Sequence, residues 1–246
     1  MPYRFFNFLI LIWNFFLETI FPWQCCFCKE ETHHYPLCQT CKNNIPINSF
    51  FICPTRKKRI FNFSKDCCLN KKPLYALGIT SSYKNPVLKK AIHLFKYQQI
   101  ISLQKPLADL MIKFLEKTKL YSITKKENFL LIPIPLHDKK KKKRGFNQSE
   151  LLTKKIALHF SLNYNLEILI RIKNNPPQAK ITDINEREKN VKDIFRIPPT
   201  KTTFIKNKWI ILIDDVYTSG ATMQEAAKVL KKYGPKKIIG LVLAKG

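Results

Sequence analysis

Two groups of residues in this chain have the types and spacing to do chemistry. The first is Cys25-x2-Cys28 followed, after nine residues, by Cys38-x2-Cys41. Each CxxC turn sets two thiolates on one side of a metal ion, and two such turns close a tetrahedron. Four thiolates leave no open coordination position, so the spacing predicts one structural zinc ion and not a catalytic one. His33 and His34 lie between the turns as alternative ligands. A thiolate–zinc site without a recognisable signal peptide points to the cytoplasm. Cys53, Cys67 and Cys68 fall short of a second set, because Arg56 and Lys65 stand where partner thiols would fall. They read as a decayed second site or as ordinary buried thiols.

The second group is the stretch IILIDDVYTSGATMQEAA, Ile210 to Ala227. Branched apolar residues run into Asp214 and Asp215, a turn of small and hydroxyl residues follows (Thr218, Ser219, Gly220, Ala221, Thr222), and a helical pattern begins. Turn N–H groups, hydroxyls and the positive end of a helix dipole make a phosphate cradle. Gly220 brings the backbone close to an anion without a Cβ in the way. Carboxylates beside a phosphate make sense if they accept hydrogen bonds from sugar hydroxyls or hold Mg²⁺ through water. A phosphorylated ribose satisfies both halves. The acids are expected at the strand's end, clear of the core. There is no GxxxxGK[ST] and no GxGxxG, which removes the P-loop and the dinucleotide fingerprint.

These groups need elements to position them. LYALGITSSY, NFLLIPIP, LEILIRI, WIILI and KKIIGLVLA read as strands. Between them run helical stripes: Leu88, Ala91, Ile92 and Phe95; Leu107, Leu110, Met111 and Phe114; Leu152, Ile156 and Phe160; Met223, Ala226 and Leu230. The alternation predicts an α/β fold, a mostly parallel sheet with flanking helices, preceded by a small zinc ribbon. In such folds ligands sit outside the carboxyl ends of the strands, where Asp214 and Asp215 fall. The basic run Lys139–Arg144 reads as a loop that feeds the next helix, with Gly145 freeing the backbone and Asn147 and Glu150 capping. It is a second anion site.

Residues 1–22 read as an apolar helix packed on the rest of the protein, with loose membrane association through it as a further possibility. Asn7, Asn14 and Glu18 interrupt the run and Pro22 ends it, short of a spanning segment. Residues 23–72 read as the zinc-ribbon-like domain and a basic boundary, and 73–246 as the α/β domain. The formal charge of +27 favours anionic partners, although heavy use of Lys, Ile and Asn over Ala and Gly also fits a coding bias that inflates lysine.

IILIDDVYTSGAT resembles the phosphoribosyl-diphosphate (PRPP) signature of type I phosphoribosyltransferases, with Tyr217 where an aliphatic residue is commoner. LLIPIPLHDKKKKKRGFNQSELL and RIKNNPPQAKITDINEREKNVKDIF resemble two further segments of the ComF/GntX-like competence family, whose cysteine ribbon also precedes the transferase domain. The departures are the missing cysteines of the second ribbon half and Asn175-Pro176 where Thr-Pro is typical. The resemblance implies a type I phosphoribosyltransferase-like fold with Asp214, Asp215 and Thr218 to Thr222 on PRPP. It implies pyrophosphate binding by Pro135–Asn147, above all Lys143, Arg144 and Gly145. It makes Arg171–Phe195 a flexible loop with Gln178, Arg187, Lys189 and Asn190 in catalytic roles, and Mg²⁺ a companion of PRPP. It implies phosphoribosyl transfer to an undetermined acceptor in DNA uptake. The alternative is a non-catalytic accessory that binds single-stranded DNA under PRPP control, or a structural partner of a helicase-like uptake protein.

Overall fold

The computed structural model describes residues 22–32, 35–60, 73–118, 120, 128–174 and 191–246. The predicted N-terminal helix, His33 and His34, Cys67 and Cys68, and Gln178, Arg187, Lys189 and Asn190 lie outside the described residues. Among the described residues no helix is long and apolar enough to cross a membrane.

Five strands form the parallel body of a seven-stranded sheet: β5 (Ala76–Ser82), β6 (Phe129–Pro133), β7 (Asn163–Tyr164), β10 (Trp209–Tyr217) and β11 (Lys237–Lys245). Across the sheet their order is β5-β11-β10-β6-β7. The short strands β3 (Phe51–Ile52) and β4 (Arg59–Ile60) extend the β5 edge antiparallel, so the chain leaving the cysteines hydrogen-bonds into the same sheet. Near the N-terminus β1 (Trp23–Gln24) pairs with β2 (Glu31–Thr32), and α1 (Gln39–Asn43) follows. Elsewhere β8 (Ile170–Arg171) pairs with β9 (Phe195–Arg196), away from the large sheet.

Helices cover both faces because β10 is apolar on both. Trp209, Ile211 and Ile213 face one core, which α2 (Pro86–Tyr97), α3 (Gln104–Lys117) and α5 (Gln148–Phe160) complete with Leu88, Phe95, Leu110, Phe114, Leu152 and Ile156. Ile210 and Leu212 face a second core beneath α6 (Ala221–Lys231), with Met223, Ala226 and Leu230. This is the period of two expected of a strand buried on both sides. The same first core reaches Cys25, Cys41 and Ile45, so the cysteine region and the sheet share one apolar interior.

Two expectations need correcting. LEILIRI is not a strand of the large sheet: only Ile170 and Arg171 are extended, while Ile168 and Leu169 turn into the second core. The edge beside β6 is taken by β7 instead. Lys139–Arg144 is not a loop but most of α4 (Asp138–Arg144), whose N-cap is His137, with its ring Nδ1 accepting from Lys139 N–H at 3.2 Å.

Candidate functional site

The connection after β6 runs through α4 and α5 on one face towards β7. The connection after β10 runs through α6 on the other face towards β11. Where neighbouring strands send their connections to opposite faces, a crevice opens at their carboxyl ends. That crevice lies between β6 and β10, and both predicted anion segments border it.

On the β10 side the strand ends in the acid pair. Asp214 Oδ1 accepts from Ser149 Oγ at 3.0 Å and from Asp215 N–H at 2.9 Å. Asp215 is only 6% exposed, and Lys96 of α2 reaches across to it, Nζ to Oδ1 2.8 Å. Asp215 therefore sits in the interior with a built-in counterion, contrary to the expectation of acids clear of the core. Burial, and next the charge of Asp215, push the Asp214 carboxyl up to about 7 against the lowering by Lys96 and Ser149. Burial alone would lower Lys96, but Asp215 and Asp214 outweigh it and hold the ammonium charged.

The turn after Tyr217 depends on Gly220, which has φ +83°. A Cβ there would also strike the Tyr217 ring at its hydroxyl end. The ring thus lies along the turn, and its hydroxyl meets the Gln224 side chain on the first turns of α6. Ala221 N–H donates to Ser219 Oγ at 3.4 Å, so serine folds back on the start of the helix.

On the β6 side, Ile134 N–H donates to Ile213 O at 2.9 Å and binds the two strand ends together. Asn147 caps α5: its Oδ1 accepts from Ser149 N–H at 3.0 Å and its amide donates to Ile134 O at 3.1 Å. Gly145 closes α4 at φ +78°, and a Cβ there would meet only the Gln99 side-chain oxygen at an ordinary 3.7 Å, so backbone conformation and not crowding calls for glycine. Arg144 donates to Gln148 Oε1 at 2.7 Å and lies 5.5 Å from the Tyr97 ring centre. Gln148 is 1% exposed, and its Nε2 finds no hydrogen-bond partner among the described residues. A buried donor left over beside an arginine is what an anion's oxygen would satisfy. Lys140, one turn before Arg144, is pushed below the usual lysine range by burial and then by Arg171 and Arg144. Arg171 in turn feels Asp214. Lys140, Arg144 and Arg171 therefore share one field beside the acid pair. Lys143 is exposed, and Lys141 pairs with Glu150 at 2.8 Å.

Sequence reasoning missed Lys96 and Ser149 as site residues, and took Arg171 only as the first residue of the loop Arg171–Phe195. Lys96 follows the last apolar residue of the α2 stripe, a place where lysine usually reaches solvent. Ser149 was legible only as helix-start chemistry.

At the other centre, the thiols of Cys25, Cys28, Cys38 and Cys41 lie within 4.8 Å of one another, with Cys28 and Cys38 sulfurs 3.6 Å apart. Tetrahedral zinc with bonds of about 2.3 Å needs sulfurs about 3.8 Å apart, so the set fits such an ion. Burial and the neighbouring thiols push Cys41 far above the ordinary thiol range. Four thiolates coexist there only around a cation. Cys53 repeats the first turn without its second thiol. Cys25 N–H donates to Glu30 O, Lys29 N–H donates to Cys25 O, and Lys29 has φ +70°. Cys53 N–H donates to Lys58 O, Lys57 N–H donates to Cys53 O, and Lys57 has φ +56°. Arg56 occupies the place of Cys28, and its N–H donates to Cys53 Sγ at 3.3 Å.

Residues 142–246 match the phosphoribosyl transferase domain. Over 227 residues the chain is 27% identical to Competence protein F of Haemophilus influenzae, covering 90% of this chain and 96% of that protein. It is 28% identical to Competence protein ComFC of Bacillus subtilis over 80% of this chain and 79% of that one. This chain is a homologue of the competence F proteins and carries a phosphoribosyl transferase domain. DNA utilization protein YhgH of Salmonella typhimurium is a further relative, 23% identical over 87% of this chain and 92% of its own length. The phosphoribosyl transferase domain begins within α4, so its match includes Arg144, the Asn147 cap, the acid pair and the turn. Lys96, which neutralises Asp215, comes from outside the matched segment.

Proposed function

We propose that the crevice between β6 and β10 binds PRPP with Mg²⁺ and transfers its phosphoribosyl group to an acceptor. Asp214 and Asp215 accept hydrogen bonds from the ribose hydroxyls, and Thr218 to Thr222 wrap the 5-phosphate. Arg144, Gly145 and Gln148 take the pyrophosphate, with Lys140 and Arg171 adding positive field. The observation that carries the reading is the pairing of an acid pair and a glycine-bent hydroxyl turn with a buried, unsatisfied Gln148 amide across one crevice. Mg²⁺ on the diphosphate would make it a better leaving group. In transfer, the bond from ribose C1 to the pyrophosphate oxygen breaks and its electron pair leaves with pyrophosphate. A nucleophilic nitrogen or oxygen of the acceptor bonds to C1 and yields any proton it carries to solvent. The cations facing the departing oxygens stabilise charge as it develops. Gln178, Arg187, Lys189 and Asn190, which lie outside the described residues, take the catalytic roles in this reading.

A role in handling DNA is supported by the names of the relatives, Competence protein F and DNA utilization protein, and by the charge of +27. Under the second reading the chain binds single-stranded DNA and PRPP without turnover. Pyrophosphate release from PRPP with Mg²⁺, followed with and without single-stranded DNA, separates the two. Release that rises with an acceptor supports transfer. PRPP binding without release under every condition supports the accessory. We place zinc on Cys25, Cys28, Cys38 and Cys41, and the protein in the cytoplasm, as parts of the same proposal.

A further inference from the structure

The cations of the crevice are held differently from its acids. Lys96 neutralises Asp215, but among the described residues no carboxylate pairs with Arg144. Its charged neighbours are alike: Lys140 feels both Arg171 and Arg144. Repulsion of that kind would turn a long, half-buried side chain out to solvent unless something neutral holds it. Two groups do so. Gln148 Oε1 accepts from Arg144 Nη1 at 2.7 Å, and the Tyr97 ring centre lies 5.5 Å from the guanidinium carbon. That is inside the roughly 6 Å over which an aromatic face attracts a cation.

Tyr97 is the last residue of α2 and is 61% exposed. His93, one turn earlier, packs against its ring with centres 4.9 Å apart and sets its tilt. Beyond it Gln98 N–H donates to Leu94 O at 3.0 Å, Gln99 takes φ +57°, and the Gln99 side-chain oxygen lies beside Gly145. The end of α2 therefore runs along Arg144 and Gly145. Lys96, the residue before Tyr97, meets Asp215 at 2.8 Å. Consecutive residues of one helix thus reach the acid pair and the arginine, and both lie outside the segment that matches the phosphoribosyl transferase domain.

We propose that Tyr97 is a positioning residue for pyrophosphate: its ring fixes the Arg144 guanidinium at the crevice and leaves the positive charge whole. A carboxylate in the same place would hold the arginine too, but would cancel the field that receives the anion. The ring attracts through its quadrupole and brings no opposing full charge. The inference rests on the reading of the crevice as a PRPP site and adds a residue to it. Without the ring, Arg144 must be ordered at each binding event, a cost of about three- to tenfold in affinity for one long side chain.

Calorimetry on the full chain with pyrophosphate and Mg²⁺, with PRPP and Mg²⁺, and with ribose 5-phosphate tests it. Tyr97→Leu should weaken pyrophosphate and PRPP about three- to tenfold and leave ribose 5-phosphate within about twofold. Tyr97→Phe keeps the ring and should bind all three as the native chain does. Against PRPP, Tyr97→Leu added to Arg144→Gln should cost nothing beyond Arg144→Gln alone, because the ring acts through the arginine. Four results overturn the positioning role and leave the PRPP reading standing: pyrophosphate and PRPP affinity unmoved in Tyr97→Leu, Tyr97→Phe as weak as Tyr97→Leu, an equal loss for ribose 5-phosphate, or additive losses in the double variant. A native chain that binds neither PRPP nor pyrophosphate overturns the PRPP reading, and the role of Tyr97 with it.

Discussion

Four thiols converge at the N-terminal knuckles and two carboxylates converge at the end of β10. In both places groups of like charge are pressed together in partly dry surroundings. The four thiols carry no cation among themselves, and as thiolates they would need one, which the proposed zinc would supply. The strand end holds its own, Lys96 on Asp215 at 2.8 Å. A site neutralised from outside is closed and complete once the ion is in. A site neutralised from within keeps free capacity: the Asp214 carboxyl is pushed up to about 7, and the Gln148 Nε2 has no hydrogen-bond partner among the described residues. The first arrangement suits a structural centre and the second a site that exchanges ligands.

The largest effect should follow from emptying the knuckles. Cys41→Ser, or a strong chelator, should cost the cysteine region on the order of 10 kcal/mol of folding free energy and release one equivalent of zinc by elemental analysis. A purified protein holding no metal, or a disulfide among these four cysteines, would break the comparison at its root. Next in size is the internal counterion. Lys96→Met strands Asp215 without a cation and should lower stability in urea by about 3 kcal/mol. Adding Asp215→Leu should recover part of that loss, and a double-mutant cycle measures the coupling. A loss in the double variant equal to the sum of the two single losses would mean that the pair does not interact.

A smaller effect concerns pH. The folded Asp214 carboxyl lies near 7, above its ordinary value of 3.8. Between these values the folded state holds a proton that the unfolded state has released. Its contribution to stability is complete below the ordinary carboxylate range and is lost as pH rises through about 7. Urea midpoints from pH 4 to 8 should therefore fall more steeply in the native chain than in Asp214→Asn, and parallel curves would remove the shift.

The period-two burial of β10, the helical stripes and the cysteine spacing follow from local pattern, and the acid pair and its turn read as one motif. Lys96 was not legible, because its partner lies on a strand far along the chain and only packing of α2 on the sheet joins them. LEILIRI misled for a related reason: Ile168 and Leu169 satisfy the second core without extending, and apolar content alone does not distinguish the two. Lys139–Arg144 read as a loop because six like charges in a row oppose a helix. Structure places Lys140 and Arg144 on one side, the Lys141–Glu150 pair on another, and the rest in solvent.

The smallest expected effect tests the Cys53 turn, which has the knuckle's backbone but Arg56 in place of the second thiol. If this turn contacts single-stranded DNA, binding weakens with salt at a log–log slope of roughly −0.7 per phosphate contact. Arg56→Gln should then reduce the slope by about one contact. An unchanged slope would assign the charge to solvation alone.

The central claim is that the end of β10 holds the ribose of PRPP. Titration of PRPP with Mg²⁺ into the native chain and into Asp214→Asn, at pH 8 where the native carboxyl is ionised, tests it most directly. Losing hydrogen bonds to a charged acceptor costs about 1.5 to 3 kcal/mol, so affinity should fall at least tenfold while zinc content stays the same. Equal affinity in both proteins would place the ribose elsewhere and leave the acid pair with no part in binding it.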